Sequence, residues 1–472
     1  MNWTLILPEL VLALVGLAAL AGGVLPKRDT HFAVNMAVLG GLLLTAVLVV
    51  AQPEGDAFNG QYVADAFTRF MKLLVLAGAA LGLLLAMDWN EKEGLGKFEF
   101  PVLLLFSSLG MMVMVSANDL IALYLGLELL SLSLYVIAAF NRDSERSAEA
   151  GLKYFILGSL ASGLLLYGSS LIYGFSGSTN FDAIADALTG MESVPFGVVV
   201  GLVFVLAALV FKVSAVPFHM WTPDVYEGAP TPVTAFFASA PKVAAVALLT
   251  RVAAGPFGDL VGQWQQVIIL CSLGSMILGA LAAIGQKNIK RLMAYSSIGH
   301  VGYALLGLAA GTEFGVRALL LYMAIYLFTN VGAFAVLVAM RRNGRALEGV
   351  DDLAGLGKAD PAMALAMTCF MLSMAGIPPL AGFFGKLYAI GAVWQEGFVT
   401  LGVVAVLSSA VSAYYYLRVI KVMYFDAGEA LDPRPTSLSV VLTGTGLFTV
   451  FFFAFPAPFM AAAQAAVLAL LG

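Results

Sequence analysis

The chain has 472 residues, of which 61% are apolar and only 11% are charged, and its mean hydropathy is +0.94. Soluble domains carry about 25% charged residues, and apolar runs longer than about 18 residues are typical of transmembrane helices. The composition therefore excludes an ordinary soluble domain and predicts an all-α polytopic membrane protein. The net charge of −5 and the lack of a basic tail give no support for nucleic acid as a partner.

Residues that commonly hold redox cofactors are scarce in this chain. Cys271 and Cys369 are far apart, and the three histidines, His31, His219 and His300, are scattered. Neither set has the spacing of a metal, haem or disulfide site, and no glycine-rich phosphate-binding loop is present in the sequence. We therefore expect this chain to contain neither a cofactor nor a metal ion.

Apolar stretches of about 20 residues, long enough to cross roughly 30 Å of hydrocarbon, recur along the whole chain. They predict about 14 spans, near residues 4–25, 32–51, 68–87, 98–116, 119–140, 150–174, 195–213, 231–254, 263–285, 291–310, 316–340, 360–395, 398–424 and 437–455. Residues 456–471 form either a short interfacial helix or a fifteenth span. The first run lacks the preceding positive charges of a signal peptide, so we expect it to be retained.

Basic residues are distributed unevenly among the connections between these spans. Most of the 24 Lys and Arg residues lie in or beside the odd-numbered connections, and Lys27 and Arg28 lie in the first. The even-numbered connections and the termini hold only Arg69, Arg251 and Arg317. Because cytoplasmic connections are enriched in Lys and Arg, both termini are predicted on the outer side of the membrane.

Four charged residues fall inside predicted spans, where a charge costs roughly 2.5–3.5 kcal/mol on insertion scales. They are Glu128, Lys212, Lys242 and Lys386. One interpretation is static: the side chains reach the membrane interface or form ion pairs that hold helices together. The other is a proton relay, because desolvation makes a lysine release its proton more easily and a nearby carboxylate has the opposite effect.

Two further pairs of charged residues lie nearer to the predicted membrane surfaces. Glu149 and Lys153 are four residues apart at the start of the sixth span, on one helical face with Glu145. They indicate a solvated helix end with an intrahelical pair, a cytoplasmic proton entrance, or a contact with a neighbouring subunit. We expect Lys72 to extend to the interface, and Glu9 either to do the same or to meet a neighbouring residue.

Two histidines lie within or beside the spans. A lone buried histidine is usually a hydrogen-bonded structural residue, but His300 has polar neighbours in Ser296, Ser297 and Tyr303. With these neighbours, a second interpretation is equally good. In it, His300 belongs to a hydrated line that starts at Lys242.

Prolines predict two broken helices among the spans. Pro217 follows Lys212 in the seventh span, and Pro378 and Pro379 precede Lys386 in the twelfth. Proline removes a backbone donor, and an interrupted backbone at membrane depth persists only where protein or water satisfies it. Each break therefore predicts a cavity near a buried lysine.

The regions around two of these lysines are similar in sequence. Residues 232–238 (Pro-Val-Thr-Ala-Phe-Phe-Ala) lead to Lys242, and residues 379–385 (Pro-Leu-Ala-Gly-Phe-Phe-Gly) lead to Lys386. Two consecutive units of five spans would have opposite orientations, and inverted repeats with broken helices are typical of ion-translocating folds. The predicted organisation is a three-helix segment (1–91), a first repeat (92–260), an inverted second repeat (261–427) and a C-terminal helix with a short tail (428–472).

The run from Lys212 through His219 to Thr234, which continues to Lys242, resembles the antiporter-like subunits of respiratory complex I and of the related multi-subunit Na⁺/H⁺ antiporters. Its segment 223–234, Pro-Asp-Val-Tyr-Glu-Gly-Ala-Pro-Thr-Pro-Val-Thr, is similar to the subunit N branch of that family in particular. The likeness covers essentially the whole chain. The sister branch M typically has Glu in the twelfth span, where this chain has Lys386.

The resemblance implies a proton-translocating membrane-arm subunit of an NADH:quinone oxidoreductase, driven by quinone reduction elsewhere in the complex. It implies that Glu128 pairs with Lys212, that Lys242 is the central proton carrier, and that Lys386 ends the hydrophilic axis. His219 and His300 would connect that axis.

The same resemblance implies the surroundings of the chain. NADH, FMN, iron–sulfur clusters and quinone are expected in other subunits. The implied partners are other membrane-arm subunits, including an adjacent antiporter-like subunit, together with the lipid bilayer and protons. The implied location is the bacterial inner membrane with periplasmic termini. A subunit of a Na⁺/H⁺ antiporter and a purely structural membrane spacer are the alternatives.

Overall fold

The structure is a computed structural model that describes residues 3–24, 30–190 and 193–471. Within this part of the chain most residues are helical, and the strands form only two short hairpins. The predicted all-α membrane architecture is therefore confirmed. Lys27 and Arg28, which contributed to the predicted orientation, lie outside the described residues.

The N-terminal segment contains three spans, one hairpin and a short 3-10 turn. The elements are the turn (Trp3–Ile6), α1 (Leu7–Gly23), α2 (His31–Ala51), β1 (Gly55–Ala57), β2 (Tyr62–Ala64) and α3 (Ala66–Lys92). β1 and β2 pair antiparallel, with Gly55 opposite Ala64. The Asp65 side chain accepts from the Thr68 backbone while the Thr68 hydroxyl accepts from the Asp65 backbone, so α3 begins directly after the hairpin.

The next group of helices carries the first set of predicted site residues. It comprises α4 (Glu99–Ser116), α5 (Leu120–Ala138), α6 (Glu145–Ser176), the short α7 (Phe181–Thr189), α8 (Phe196–Val213), α9 (Trp221–Gly228), α10 (Thr231–Phe237) and α11 (Ala240–Ala254). Asp119 caps α5 and Asn180 caps α7 through side-chain oxygens that accept backbone N–H groups.

The remaining elements begin with a 3-10 turn (Gly258–Leu260). They continue with α12 (Val261–Ile284), α13 (Ile289–Ala309), α14 (Glu313–Ala339), β3 (Arg341–Arg342), β4 (Arg345–Ala346), a 3-10 turn (Asp351–Leu353), α15 (Leu356–Ala359), α16 (Pro361–Ala375), α17 (Ala381–Gln395), α18 (Val399–Phe425), α19 (Thr436–Phe451), a 3-10 turn (Phe452–Ala454) and α20 (Ala457–Leu471). α20, which corresponds to the tail at 456–471, packs against α3 and α14.

The helices agree with the predicted number of spans. In the described part of the chain, 12 helical segments are long and apolar enough to cross a membrane. α1, with 17 residues, and the interrupted pair of α16 and α17 account for the other predicted spans.

Both predicted helix breaks are confirmed, and a third is present. α8 ends where Ser214 adopts a left-handed conformation (φ 65°), and α16 ends at Gly376 (φ 88°). The third break lies at Ala238 and Ser239, between α10 and α11. It was not predicted from the sequence.

Glycines allow the same close helix contact in each half of the molecule. A Cβ on Gly126 of α5 would lie 2.7 Å from the Met114 nitrogen of α4. A Cβ on Gly279 of α12 would lie 2.6 Å from the Gly299 nitrogen of α13. The first two spans of each proposed repeat thus pack backbone against backbone, although the division into repeats stays a prediction.

One expectation about a charged side chain is wrong. Lys72 does not extend to the membrane interface but is fully buried, with its Nζ 2.7 Å from Glu9 Oε1. It also donates a hydrogen bond of 2.8 Å to the Tyr62 hydroxyl. The β1–β2 hairpin and α1 close over this end of α3, so the ammonium finds its partners inside the protein. The alternative that Glu9 meets a neighbouring residue is confirmed.

Candidate functional site

Lys242 lies in the first turn of α11, directly after the third helix break. Its side chain is 2% exposed, and its Nζ makes no hydrogen bond within the described part of the chain. Helix N-termini carry partial positive charge, and helical side chains lean toward that end. The ammonium is therefore held where its charge is disfavoured, which suits a group that releases a proton.

The break that precedes Lys242 is stabilised by a side chain from α14. Asn330 Nδ2 donates to the Ala238 carbonyl at 2.9 Å, and the Ser239 hydroxyl bonds to the carbonyl of Ala235 at 2.8 Å. The freed backbone groups are thus satisfied by protein, as membrane depth requires. Sequence reasoning missed Asn330; the available signal was Thr329 and Asn330 inside an otherwise apolar run.

His300 occupies the centre of a hydrogen-bonded line in the second half of the bundle. Its Nδ1 lies 2.7 Å from the Tyr322 hydroxyl, and its Nε2 lies 3.1 Å from the Tyr416 hydroxyl. The Tyr416 hydroxyl in turn lies 2.5 Å from Ser296 Oγ. Imidazole and hydroxyl groups both donate and accept, so this line has the chemistry of a proton path.

A second hydroxyl pair flanks His300 on the side of α14. Ser297 Oγ lies 2.7 Å from the Tyr326 hydroxyl, and the Tyr326 ring packs against the His300 ring. The polar residues Ser296 and Ser297 were predicted beside His300. The tyrosines were missed, although Tyr322 and Tyr326 are spaced four residues apart on one helical face.

A small cavity joins His300 to the break between α16 and α17. His300, Tyr322 and Ser373 contribute to its walls, and it has about 20 Å³ of space for the centre of a water molecule. A single water needs roughly 10–15 Å³ by this measure. The cavity can therefore hold a water next to the imidazole.

Lys386 on α17 forms hydrogen bonds at the second predicted helix break, between α16 and α17. Its Nζ donates to the Ala375 carbonyl at 3.1 Å and to Ser409 Oγ at 2.9 Å, and it lies 4.7 Å from the Tyr303 ring centroid. Ala375 is the last residue of α16, where carbonyls lack helical partners and carry partial negative charge. Lys386 therefore has two hydrogen-bond acceptors, whereas Lys242 has none in the described part of the chain.

Lys212 and Glu128 form no salt bridge in the described structure, although Glu128 is near enough to act electrostatically on Lys212, so their pairing stays a prediction. Lys212 Nζ donates to Ser131 Oγ at 2.6 Å and lies 3.4 Å from the Tyr135 hydroxyl. Glu128 instead accepts a hydrogen bond from the Ser162 hydroxyl of α6. Each of the two charged groups is therefore hydrogen-bonded to a serine hydroxyl, Ser131 of α5 for Lys212 and Ser162 of α6 for Glu128. Ser131 and Glu128 are one helical turn apart.

Glu128 lies on the outward face of α5. Its neighbours along that face, Leu125 and Leu132, are 60% and 55% exposed, and Glu128 itself is half-buried. A carboxylate in this position at membrane depth requires a polar cover.

His219 lies apart from the other candidate residues, in the connection between α8 and α9. It is half-buried, and its Nδ1 makes no hydrogen bond within the described ranges. No hydrogen bond or ring contact joins it to Lys212, Lys242 or His300 there. The structure therefore does not bring His219 into the line that includes His300.

Glu149 and Lys153 form part of a charged cavity between α6, α9 and α13. Lys153 Nζ lies 2.7 Å from Glu149 and 2.8 Å from Asp224. Arg291 lies 2.7 Å from Asp224 and 3.1 Å from Glu227. The cavity that these groups line has about 190 Å³ of space for water. The intrahelical pair is thus present, and it belongs to a larger network.

The helix α9 lies between this cavity and Lys242. Asp224 and Glu227 face the cavity, whereas the Tyr226 ring centroid is 5.6 Å from Lys242 Nζ. The Tyr226 hydroxyl is buried, and Ser297 of α13 is its nearest hydrogen-bonding side chain in the described structure. Sequence reasoning used residues 224–227 only as a motif and assigned Tyr226 no role.

Comparisons with known proteins place these features in one family. Residues 117–412 match the family model described as NADH:quinone oxidoreductase/Mrp antiporter, TM. NADH-quinone oxidoreductase subunit N of Granulibacter bethesdensis is 58% identical over 100% of both chains. Its counterpart in Rhodospirillum rubrum is 58% identical over 98% of this chain and 96% of that relative. The chain belongs to the NADH-quinone oxidoreductase subunit N family.

Two solved structures contain a chain with the same fold. A chain of respiratory complex I from Thermus thermophilus with bound aureothin is 35% identical, with a TM-score of 0.83 over 97% of this chain and 99% of that chain. A chain of the Mrp complex from Dietzia sp. DQ12-45-1b has a TM-score of 0.86 over 100% of both chains. At 23% identity, the second similarity concerns the fold alone.

Proposed function

We propose that the chain is a proton-translocating membrane-arm subunit of an NADH:quinone oxidoreductase. It couples quinone reduction elsewhere in the complex to H⁺ transfer along the buried axis. The observation that carries this proposal is the placement of Lys242, a buried ammonium without a hydrogen-bond partner in the described structure, beside the Tyr226 ring that separates it from the charged cavity. His300 and Lys386 continue the axis beyond it.

The two lysines of the axis differ in the groups that surround the ammonium. Lys242 lies at a helix N-terminus and makes no hydrogen bond in the described structure, whereas Lys386 donates to a carbonyl at the C-terminus of α16. Protons enter from the cavity of Glu149, Lys153 and Asp224, and pass Tyr226 to reach Lys242. The hydroxyl and imidazole groups around His300 then carry them toward Lys386. In the described ranges, no hydrogen bond joins His219 to Lys212, His300 or Lys386.

Glu128 and Lys212 form the end of the axis that meets a neighbouring subunit. The Glu128 carboxylate lies on the outward face of α5 and is one helical turn from Ser131, which binds Lys212. A conformational change that moves the carboxylate toward Lys212 would stabilise the ammonium, and its withdrawal would favour proton release. Other membrane-arm subunits, including an adjacent antiporter-like one, are therefore the partners.

NADH, FMN, iron–sulfur clusters and quinone belong to other subunits in this proposal. In the described ranges, no group of three His, Cys, Asp or Glu side chains is arranged to hold a metal ion. The subunit spans the bacterial inner membrane many times, with both termini periplasmic, as the distribution of Lys and Arg supports. The two five-helix repeats remain part of the proposal.

The proposal is tested in the assembled complex with Lys242→Leu and, as a control, Lys242→Arg. Neither variant can exchange a proton at neutral pH, but Arg keeps the positive charge. We expect both to lose NADH-driven proton uptake in vesicles free of Na⁺. Unchanged uptake in both variants would contradict the proposal and favour a structural spacer, and uptake that requires added Na⁺ would favour an antiporter.

A further inference from the structure

Lys290 is a buried lysine that the proposed axis does not use. It is the second residue of α13, its side chain is 2% exposed, and its Nζ lies 2.5 Å from Glu348 Oε1. The same Nζ donates a hydrogen bond of 2.9 Å to the carbonyl of Ala229. Ala229 is the residue that directly follows α9. One buried ammonium therefore joins the first turn of α13 to the end of α9.

The end of α9 needs a donor from outside the helix. α9 ends at Gly228, and the last carbonyls of a helix have no partner within it. Ala229 is fully buried, so its carbonyl oxygen requires a hydrogen-bond donor from the protein or from water. Lys290 provides that donor from α13. A side chain that cannot donate at position 290 would leave the end of α9 free to shift.

Tyr226 lies in the same turn of α9 that Lys290 holds. Its ring centroid is 5.6 Å from Lys242 Nζ, and its hydroxyl has Ser297 of α13 as the nearest hydrogen-bonding side chain in the described structure. Lys290 and Ser297 are seven residues apart, so they lie on one face of α13. α13 therefore supports α9 at two points, one at its last turn and one beside Tyr226.

The Lys290 side chain is itself held in place by its surroundings. The Asn288 side chain caps α13 by accepting from the backbone N–H groups of Lys290 and Arg291, and its amide donates to Glu348 Oε2 at 3.2 Å. Arg146 of α6 lies 3.6 Å from the same Glu348 oxygen. Glu348 is therefore a fixed counter-ion for Lys290, which suits a support for α9 better than a mobile proton carrier.

We propose that Lys290 is a positioning residue for proton transfer from the charged cavity to Lys242. It holds the end of α9 and thereby keeps Tyr226 between the cavity and Lys242. The inference rests on the proposed function, in which protons pass Tyr226. It adds a residue that controls the rate of this step without carrying the proton.

The test uses the assembled complex with Lys290→Met, and NADH-driven proton uptake is measured per assembled complex. Met fills nearly the same space but cannot donate to the Ala229 carbonyl. We expect uptake to fall at least about tenfold, because a misplacement of about 1 Å can cost about 10²-fold in rate. Lys421→Met is the control and should behave as the wild type. Lys421 is exposed near the end of α18, pairs with Asp426 at 2.5 Å, and does not line the charged cavity.

A double variant shows whether Lys290 acts through Tyr226. Tyr226→Phe removes the hydroxyl, so its position no longer affects the rate. Lys290→Met should therefore cause no further loss of uptake in the Tyr226→Phe background. Two residues that act independently would instead give losses that multiply.

A further variant separates the rate from assembly. Lys290→Met leaves the Glu348 carboxylate without its partner, whereas Lys290→Met/Glu348→Gln removes both charges of the pair. We expect this variant to assemble and to show the same loss of uptake per assembled complex as Lys290→Met.

Three results would overturn the role of Lys290. The first is wild-type uptake per assembled complex in Lys290→Met. The second is an undiminished further loss when Lys290→Met is added to Tyr226→Phe. The third is failure of both Lys290→Met and Lys290→Met/Glu348→Gln to assemble, which would make the lysine a structural support alone. Lys242→Leu judges the proposed function separately, because loss of uptake there together with normal uptake in Lys290→Met refutes only the role of Lys290.

Discussion

Lys386 donates a hydrogen bond to the carbonyl of Ala375, the residue at which α16 ends. The buried charge therefore depends on the helix break, because the break leaves a carbonyl oxygen free to accept the hydrogen bond from the ammonium. The left-handed Gly376 makes this geometry possible directly after Ala375.

Gly376→Ala should displace Lys386 from the Ala375 carbonyl. A Cβ there would lie 2.9 Å from Lys386 Cδ, and φ of +88° costs a non-glycine residue roughly 1–2 kcal/mol. We expect reduced proton uptake per NADH oxidised in the assembled complex. Gly391→Ala, on α17 where a Cβ meets nothing within 4 Å, is the control and should behave as the wild type. Equal losses in both variants would count against the role of the break.

Tyr226→Phe should slow proton transfer from the charged cavity to Lys242. The variant keeps the ring that lies beside Lys242 and removes only the buried hydroxyl, so packing is preserved. A relay group that acts in acid–base steps contributes about 10²–10⁴-fold to rate. We expect a loss toward the lower end of that range in NADH-driven uptake, with normal assembly. Tyr167→Phe on the exposed face of α6 is the control, and wild-type rates in Tyr226→Phe would exclude the hydroxyl from the path.

Asn330→Leu should destabilise the break before Lys242. It leaves the Ala238 carbonyl buried without its donor, which costs about 1–3 kcal/mol. The expected results are a lower temperature of thermal inactivation and slower proton uptake in the assembled complex. If both quantities stay at wild-type values, the Asn330 amide does not support the position of Lys242.

Glu9→Gln should lower the stability of the subunit without changing proton transport. Loss of one charge from a buried ion pair leaves the Lys72 ammonium uncompensated, and such losses cost about 3–5 kcal/mol. The pair lies in the N-terminal segment, and no hydrogen bond in the described structure joins it to Lys242 or His300. We expect less assembled complex in membranes but a normal number of protons per NADH in what assembles. A reduced ratio would place Glu9 and Lys72 on a proton route.

The charged residues and two of the helix breaks of this site could be predicted from the sequence, because they interrupt apolar runs. Glu128, Lys212, Lys242 and Lys386 interrupt apolar runs, and such charges are costly enough to indicate function. Prolines near Lys212 and Lys386 predicted two breaks correctly. The third break had a proline signal too, because Pro241 lies in the first turn of α11, but the motif that leads to Lys242 was not interpreted as a helix break.

Other features depend on side-chain direction and on tertiary contacts, which spacing does not determine. Tyr322, Tyr326 and Tyr416 count as apolar residues in a hydropathy profile, although their hydroxyls form the line around His300. Lys212 donates to Ser131 and not to Glu128, which lies one helical turn away on the same helix, and spacing alone does not decide between two such acceptors. The Lys72–Glu9 pair joins residues more than sixty positions apart, so no local pattern shows it.

The central claim is that the Lys242 ammonium gains and loses a proton during turnover. Infrared difference spectroscopy of the assembled complex, with ¹⁵N-labelled lysine and NADH as the trigger, measures this directly. The account predicts an isotope-sensitive lysine band in the wild type that disappears in Lys242→Arg together with proton uptake. Identical lysine bands in both proteins, with proton uptake retained in the variant, would contradict it.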